Sequence, residues 1–428
     1  MISCVLSLGW ALGHVRPATP APLTVIEMPI EKAGYLSVEA VIRSPDRLNE
    51  REEVGWKVLE RSLLQGTREL TTEQLWGYGS LTGRSPSIQA MDDWMSIRLT
   101  VPAGEIGLLG QMIESILVRA DLSDESLNRV RSGLQARVLD PWREALQPSQ
   151  PRFTILRNRD VRELYGRIFR PENVRLVLAG EFEAGAATTA LQSRFAGWKP
   201  RPVNRTPWTD TKPTQVRSGS ISSFELAGPV LRPADPSTPA TMLAVFALGV
   251  GKEGSLFRVV RSQMKLSYRQ DAILWPTSSG WQPRLLMLRQ TREDEIQLPG
   301  RVREALLKDV ETWTDAQLER SMAMAEASLL RGMILSPFWL SAYGPEVDRG
   351  DFAVAWAAYQ SLTGSPWSTP ELLISSLQSV ELDQLKLAAQ NLLNQANVRW
   401  IRGSQPLKSP DPQEPGGQST PLSRLEPS

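Results

Sequence analysis

The stretch Trp198-Lys-Pro-Arg-Pro-Val-Asn-Arg-Thr-Pro-Trp-Thr-Asp-Thr-Lys-Pro213 holds four prolines and little apolar periodicity. Such text cannot continue a helix or join a central strand, so it reads as a linker. It divides the chain into two parts of similar size, 22–198 and 217–404, joined by 199–216. Each part opens with strand-like text, continues with amphipathic helical patterns and closes on a strand that begins Asn-Val-Arg, at 173–175 and at 397–399. One tripeptide in the same place in two matching element orders points to a duplicated unit. Strands grouped with runs of helices give an α+β class rather than an alternating parallel sheet. The expected architecture is two homologous domains, each a mostly antiparallel sheet packed with helices.

The elements follow from local pattern. In the first part, Leu23–Met28 and the alternating Tyr35–Arg43 read as strands. Asn49, followed by Glu52 and Glu53, caps a helix reaching about Gln65, and Thr71-Thr72-Glu73-Gln74 opens a second helix with a capping box. A strand fills the later half of Met91–Val101; helices follow at 104–119, 124–139 and 152–169, then the strand Asn173–Ala179 and a helix ending by Phe195. In the second part, Thr241–Leu248 reads as a strand and Ser255 opens a helix. Tyr268–Leu274 and Arg284–Arg289 read as strands, 296–311 and 315–332 as helices, and Asn397–Arg402 as the final strand.

Composition removes whole classes of function. With 48 basic and 47 acidic residues, the net charge of +1 speaks against a nucleic-acid binder driven by bulk electrostatics. The single cysteine, Cys4, rules out an intrachain disulfide. Ile2–Gly13 is mostly apolar but too short to cross a bilayer. With Pro17–Pro22 after it, residues 1–21 read either as the later part of an export signal, placing the protein in the periplasm or cell envelope, or as a disordered tail on a cytoplasmic protein. The tail 405–428, rich in Pro, Ser, Gly and charge, is expected to be disordered.

Only one histidine is present, His14, before the first folded element. That scarcity bears on Gly55-Trp-Lys-Val-Leu-Glu-Arg-Ser-Leu-Leu-Gln-Gly-Thr67. Lys57 and Arg61 stand four residues apart on one helix face, with Glu60 between them. Alone, the trio is what an ordinary solvated helix face with an i,i+3 pair presents. In register with Gly66-Thr67 it resembles the active-site helix of the insulinase/pitrilysin family of inverted-zincin peptidases, whose His-x-x-Glu-His ends in Gly-Thr. On that resemblance Lys57 and Arg61 replace both zinc-ligand histidines and only the catalytic glutamate, Glu60, remains. The family's third ligand, a glutamate on a later helix, would fall in Asn128–Asp140; that stretch has no glutamate, and Gln135 or a neighbour occupies the place. Arginine has no lone pair to offer a metal, and lysine would first have to lose its proton. Zinc binding is therefore not expected, nor any other cofactor, and the chain is not expected to be an enzyme by itself. The protonated Lys57 and Arg61 are expected to neutralise Glu60 where a dication stood.

Further matches widen the resemblance to nearly all of 22–404. Phe169–Phe182, followed by Phe195-Ala-Gly-Trp198, is similar to the family's domain close. Gly254-Ser-Leu-Phe-Arg-Val-Val-Arg261, continuing to Leu266-Ser-Tyr268, looks like the second-domain segment whose arginine and tyrosine, seven residues apart, bind substrate. The resemblance assigns that role to Arg261 and Tyr268; a helix-end cation and a core aromatic are the plainer reading. Gly249, Gly251 and Gly254 lack the Gly-Lys-Ser/Thr ending of a phosphate loop. In short-chain members of the family two subunits close around a chamber, one carrying the zinc site and the other the Arg/Tyr pair. The expected partner is thus a zinc-bearing homologous subunit in a heterodimer, with a peptide as substrate. A structural or peptide-binding scaffold, homodimeric or bound to unrelated proteins, is the other reading.

Overall fold

The computed structural model describes residues 23–44, 48–135, 156–199, 221–249, 251–267, 269–291, 297–330 and 349–402. The leader 1–21, nearly all of the linker and the tail 405–428 lie outside these, as do Tyr268 and the side chain of Gln135.

In the first part, β1 (Thr24–Pro29) and β2 (Tyr35–Arg43) lead into α1 (Glu50–Ser62) and α2 (Thr72–Leu81). The edge strand β3 (Ser87–Ala90) and β4 (Trp94–Pro102) follow, then α3 (Ile106–Arg119), α4 (Asp124–Gln135), α5 (Asn158–Ile168), β5 (Val174–Gly180) and α6 (Ala186–Arg194). The sheet order is β1-β5-β2-β4-β3, antiparallel except for the parallel pair β1–β5. The second part contains β6 (Ile221–Ala227), α7 (Thr238–Gly249), a π-helix (Phe257–Gln263), β7 (Arg269–Thr277) and β8 (Gly280–Thr291). It continues with α8 (Leu298–Glu311), α9 (Asp315–Leu330), α10 (Arg349–Thr363), α11 (Pro370–Gln378), α12 (Leu382–Gln395) and β9 (Asn397–Arg402). Its sheet order is β7-β8-β6-β9, antiparallel throughout.

Read from the closing strand outward, the sheets run β5-β2-β4-β3 and β9-β6-β8-β7, the same path twice. The Asn-Val-Arg strands take equivalent places: Val174 lies opposite Ile42, and Val398 opposite Leu226. The fold is α+β, with helices packed on sheets.

One expectation fails locally. Thr241–Leu248 is not a strand but most of the helix α7. Met242–Val245, Ala247 and Leu248 are all buried, so the run is apolar on every side and carries no period that separates helix from strand. The strand at this place in the sheet is β6 instead, whose Ile-Ser-Ser-Phe-Glu-Leu-Ala text alternates too weakly to announce it. Both helix starts form as read: Thr71 closes its capping box with Gln74, and Asn49 caps α1, there also forming a capping box with Glu52.

Alternation along β2 divides its side chains between two cores. Leu36, Val38, Ala40 and Ile42 pack with the first part's own helices. Val41, with Val177 and Ala179 of β5, joins the core of the second part, where α10 lies against β2 and β5. Its centre is aromatic: Trp281 stands within 5.2–6.3 Å, ring to ring, of Tyr359, Trp367 and Trp356.

The tips of the equivalent hairpins lock together. Asp93, between β3 and β4, accepts from the Ser278 amide at 3.0 Å and from Ser278 Oγ at 2.6 Å, between β7 and β8. Trp94 Nε1 donates to the Pro276 carbonyl at 3.2 Å, and Arg284 Nη2 pairs with Asp92 at 2.8 Å. Tyr359 from α10 donates to the Gly280 carbonyl at 2.6 Å. Gly280 adopts φ +139°, and a Cβ there would stand 2.0 Å from the Leu231 carbonyl oxygen, so no other residue fits this turn.

Candidate functional site

Asn49 starts α1 by accepting from the Glu52 amide, and Glu52 answers on the Asn49 amide. The helix is pinned to α5 by Arg51–Asp160 and by Arg167–Glu52, the latter at 2.6 Å. It ends before Gly66, whose φ of +118° suits glycine. Thr67 then closes a tight turn: its amide donates to the Leu70 carbonyl and its Oγ1 accepts from the Leu70 amide at 2.9 Å. The Gly-Thr ending is thus the device that stops α1 and starts the approach to α2.

Lys57 and Glu60 face β3. Lys57 Nζ donates to the Ala90 carbonyl at 3.0 Å, and the Ala90 amide donates to Glu60 Oε1 at 3.0 Å. The two side chains lie 3.7 Å apart, and at 29% and 14% exposure they are largely withdrawn from solvent. The carboxylate is therefore held by a cation and a backbone amide. Arg61 does not share this position: it is exposed one turn further on. Of the trio, then, the structure brings Lys57 and Glu60 together and leaves Arg61 on the outside. Gln135 is the last residue of α4, which packs beside α1. Among the described residues no three of His, Cys, Asp and Glu are grouped to hold a metal ion.

Arg261 lies in the second part, exposed on the π-helix, with its guanidinium 4.9 Å from the centre of the Phe257 ring. The segment is anchored by a buried network. Asp309 of α8 accepts from Ser255 Oγ and from Arg258 Nη2 at 2.7 Å, while Trp313 Nε1 donates to Ser255 Oγ at 3.1 Å. A π-helical turn is rarer than an α-helical one and is concentrated at functional sites. Here it sets Arg261 outward while Val259 and Val260 stay buried.

Two carboxyls that sequence reasoning missed have displaced proton affinities. Burial pushes Asp93 up to about 6, against the Ser278 hydrogen bonds that pull it down. Burial likewise pushes Asp271 up to about 7, opposed by the Ala272 amide that donates to it at 2.8 Å. Neither announces itself in sequence: Asp92-Asp93 reads as an ordinary turn, and Asp271 as a polar residue in a strand.

The chain is thus a pair of similar α+β units with a charged pair on the helix beside a sheet edge. Solved structures share this fold over about nine-tenths of the chain. A protease from Helicobacter pylori is 12% identical, with 90% of this chain and 97% of that one covered at a TM-score of 0.64. A peptidase M16 inactive domain from Pseudomonas fluorescens is 14% identical, with 90% and 96% covered at 0.65. The first half of the periplasmic protease PqqL from Escherichia coli is 12% identical, with 89% and 90% covered at 0.54. No curated protein matches the chain in sequence. Residues 156–283 match the family described as the peptidase M16 inactive domain. Over residues 156–283 the chain is thus similar to that family, its overall fold is that of these solved structures, and its sequence lacks the His-x-x-Glu-His motif.

Proposed function

We propose that this chain is the non-catalytic subunit of an M16 peptidase: it pairs with a zinc-bearing homologue, forms part of the chamber wall and holds the substrate peptide. The observation that carries this reading is the Lys57–Glu60 pair on Ala90. The glutamate that would activate water is engaged by an ammonium and an amide, and the sequence's one histidine, His14, lies outside the described residues. The match of residues 156–283 to an inactive domain supports the same conclusion. Substrate contact falls to Arg261 and Tyr268. Arginine offers a fork of donors to a peptide carbonyl or carboxylate, and tyrosine adds a hydroxyl on an apolar body. Export to the periplasm fits the apolar run at Ile2–Gly13 and the periplasmic setting of PqqL. No described helix is long and apolar enough to cross a membrane.

Purified alone, soaked in zinc and desalted, the chain is expected to retain less than about 0.1 zinc per molecule, since the sequence has Lys57 and Arg61 in place of the two ligand histidines and arginine offers a metal no lone pair. Affinity capture from the native cell, with metal analysis of the recovered complex, is expected to return a homologous chain holding the zinc. Recovery of this chain only with itself or with unrelated proteins replaces the proposal by a scaffold role. In the assembled peptidase, Arg261→Ala is expected to raise KM for peptide by about 10- to 100-fold, the worth of a charged hydrogen bond, with zinc content unchanged. Unaltered Michaelis parameters would remove Arg261 from the substrate site.

A further inference from the structure

We propose that Lys57 and Glu60 form a built-in block that keeps an extended peptide from adding to the first sheet at β3. Among the described residues β3 is the last strand of its sheet, and an edge strand turns alternate amides and carbonyls away from its neighbour. The register identifies them. The Met91 amide donates to the Trp94 carbonyl, which makes that pair hydrogen-bonded, so the next pair, Ala90 with Met95, is not. The Ala90 amide and carbonyl therefore point outward, and by the same alternation so do those of Ile88.

An incoming strand would pair with Ala90 by accepting from its amide and donating to its carbonyl. Glu60 Oε1 and Lys57 Nζ do both, each at 3.0 Å. They lie one helical turn apart, which lets a single helix supply the acceptor and the donor that one residue of a peptide strand would bring. Both bonds are charge-assisted, and the two side chains attract each other at 3.7 Å. A neutral peptide amide must displace this stronger set to gain a weaker one. The helix thus holds the edge shut, and peptide recruitment is left to the second part of the chain. The block rests on the proposed function only for the class of ligand.

The test uses the full-length chain and a fluorescein-labelled eight-residue peptide of alternating valine and threonine, followed by fluorescence polarisation. Lys57→Ala with Glu60→Ala is expected to bind the peptide at least about tenfold more tightly than the wild type, because two charge-assisted bonds no longer compete. Glu60→Gln keeps an acceptor for the Ala90 amide and should stay within about threefold of the wild type. Equal affinity in the wild type and the double variant, whether both bind or neither does, overturns the block. Should the double variant fail to fold, amide exchange at Ala90 in Glu60→Ala decides instead: faster exchange than in the wild type is expected, and unchanged exchange overturns the proposal. A double variant that gains peptide while Arg261→Ala leaves the assembled peptidase unchanged would keep the block and refute the substrate role of the second part; the reverse pair of results would do the opposite.

Discussion

Asp93→Ala is expected to cost about 3 kcal/mol of stability and to loosen the two halves from each other before either unfolds. The carboxylate accepts the amide and the hydroxyl of Ser278, both within a site where Ser278 is 2% exposed and Asp93 itself 2%. Removing it leaves two buried donors without an acceptor, and each unsatisfied group costs roughly 1–3 kcal/mol. The loss is local to the contact between the hairpin tips, where Trp94 also donates to the Pro276 carbonyl and packs 5.4 Å from the Tyr359 ring. Urea unfolding followed at once by tryptophan fluorescence and by far-ultraviolet circular dichroism checks the result. The fluorescence midpoint should fall first, giving two transitions where the wild type has one. Asp93→Asn keeps one acceptor for Ser278 and should lose less than half as much. Coincident transitions at the wild-type midpoint in Asp93→Ala would show that the hairpin tips contribute little to holding the halves together.

The second large effect is one of pH. Asp271 is pushed up to about 7 and Asp93 to about 6, in both cases chiefly by burial. In the unfolded chain both return to the ordinary value of 3.8. Between the unfolded and folded values the native state binds more protons than the unfolded one, so stability declines as pH rises through that window. The contribution of these two groups is therefore greatest near pH 4 and has been lost once pH passes about 7. Replacing Asp271 by asparagine removes its share. Stability at pH 8 should rise by about 2 kcal/mol, after allowance for burying the amide, and should change little at pH 4. Thermal unfolding at several pH values between 4 and 8 reads this directly. A variant whose decline with pH matches that of the wild type would show that Asp271 is not the group that titrates.

The parts of the fold that were legible in the sequence are those set by short-range chemistry. Asn49 with Glu52 and Thr71 with Gln74 needed only their own neighbours to fix two helix starts, and Asn173 and Asn397 marked the closing strands of both units. Illegible were the features that depend on what lies across the molecule. The run at α7 is apolar on all sides because other elements surround it, and burial erased the period that would have declared it helical. β3 is four residues long and takes its meaning from α1, which supplies partners for Ala90. The site shows the same division. The chemistry of Lys57 and Glu60 follows from residue type, but that Lys57 turns inward to the sheet edge while Arg61 stays in solvent depends on β3 being there. The roles of Ser278 and Arg284 required the opposing hairpin before they had any meaning at all.

The placement of α10 bears on how this protein is made. Residues 349–363 cover the side of the first sheet that carries Val41, Val177 and Ala179, yet they leave the ribosome long after that sheet has been synthesised. Until they arrive, the early part of the chain keeps an apolar surface open to water and to other nascent polypeptides. Covering that surface therefore waits on residues 349–363, and a polypeptide truncated before residue 349 is expected to leave it exposed and prone to self-association.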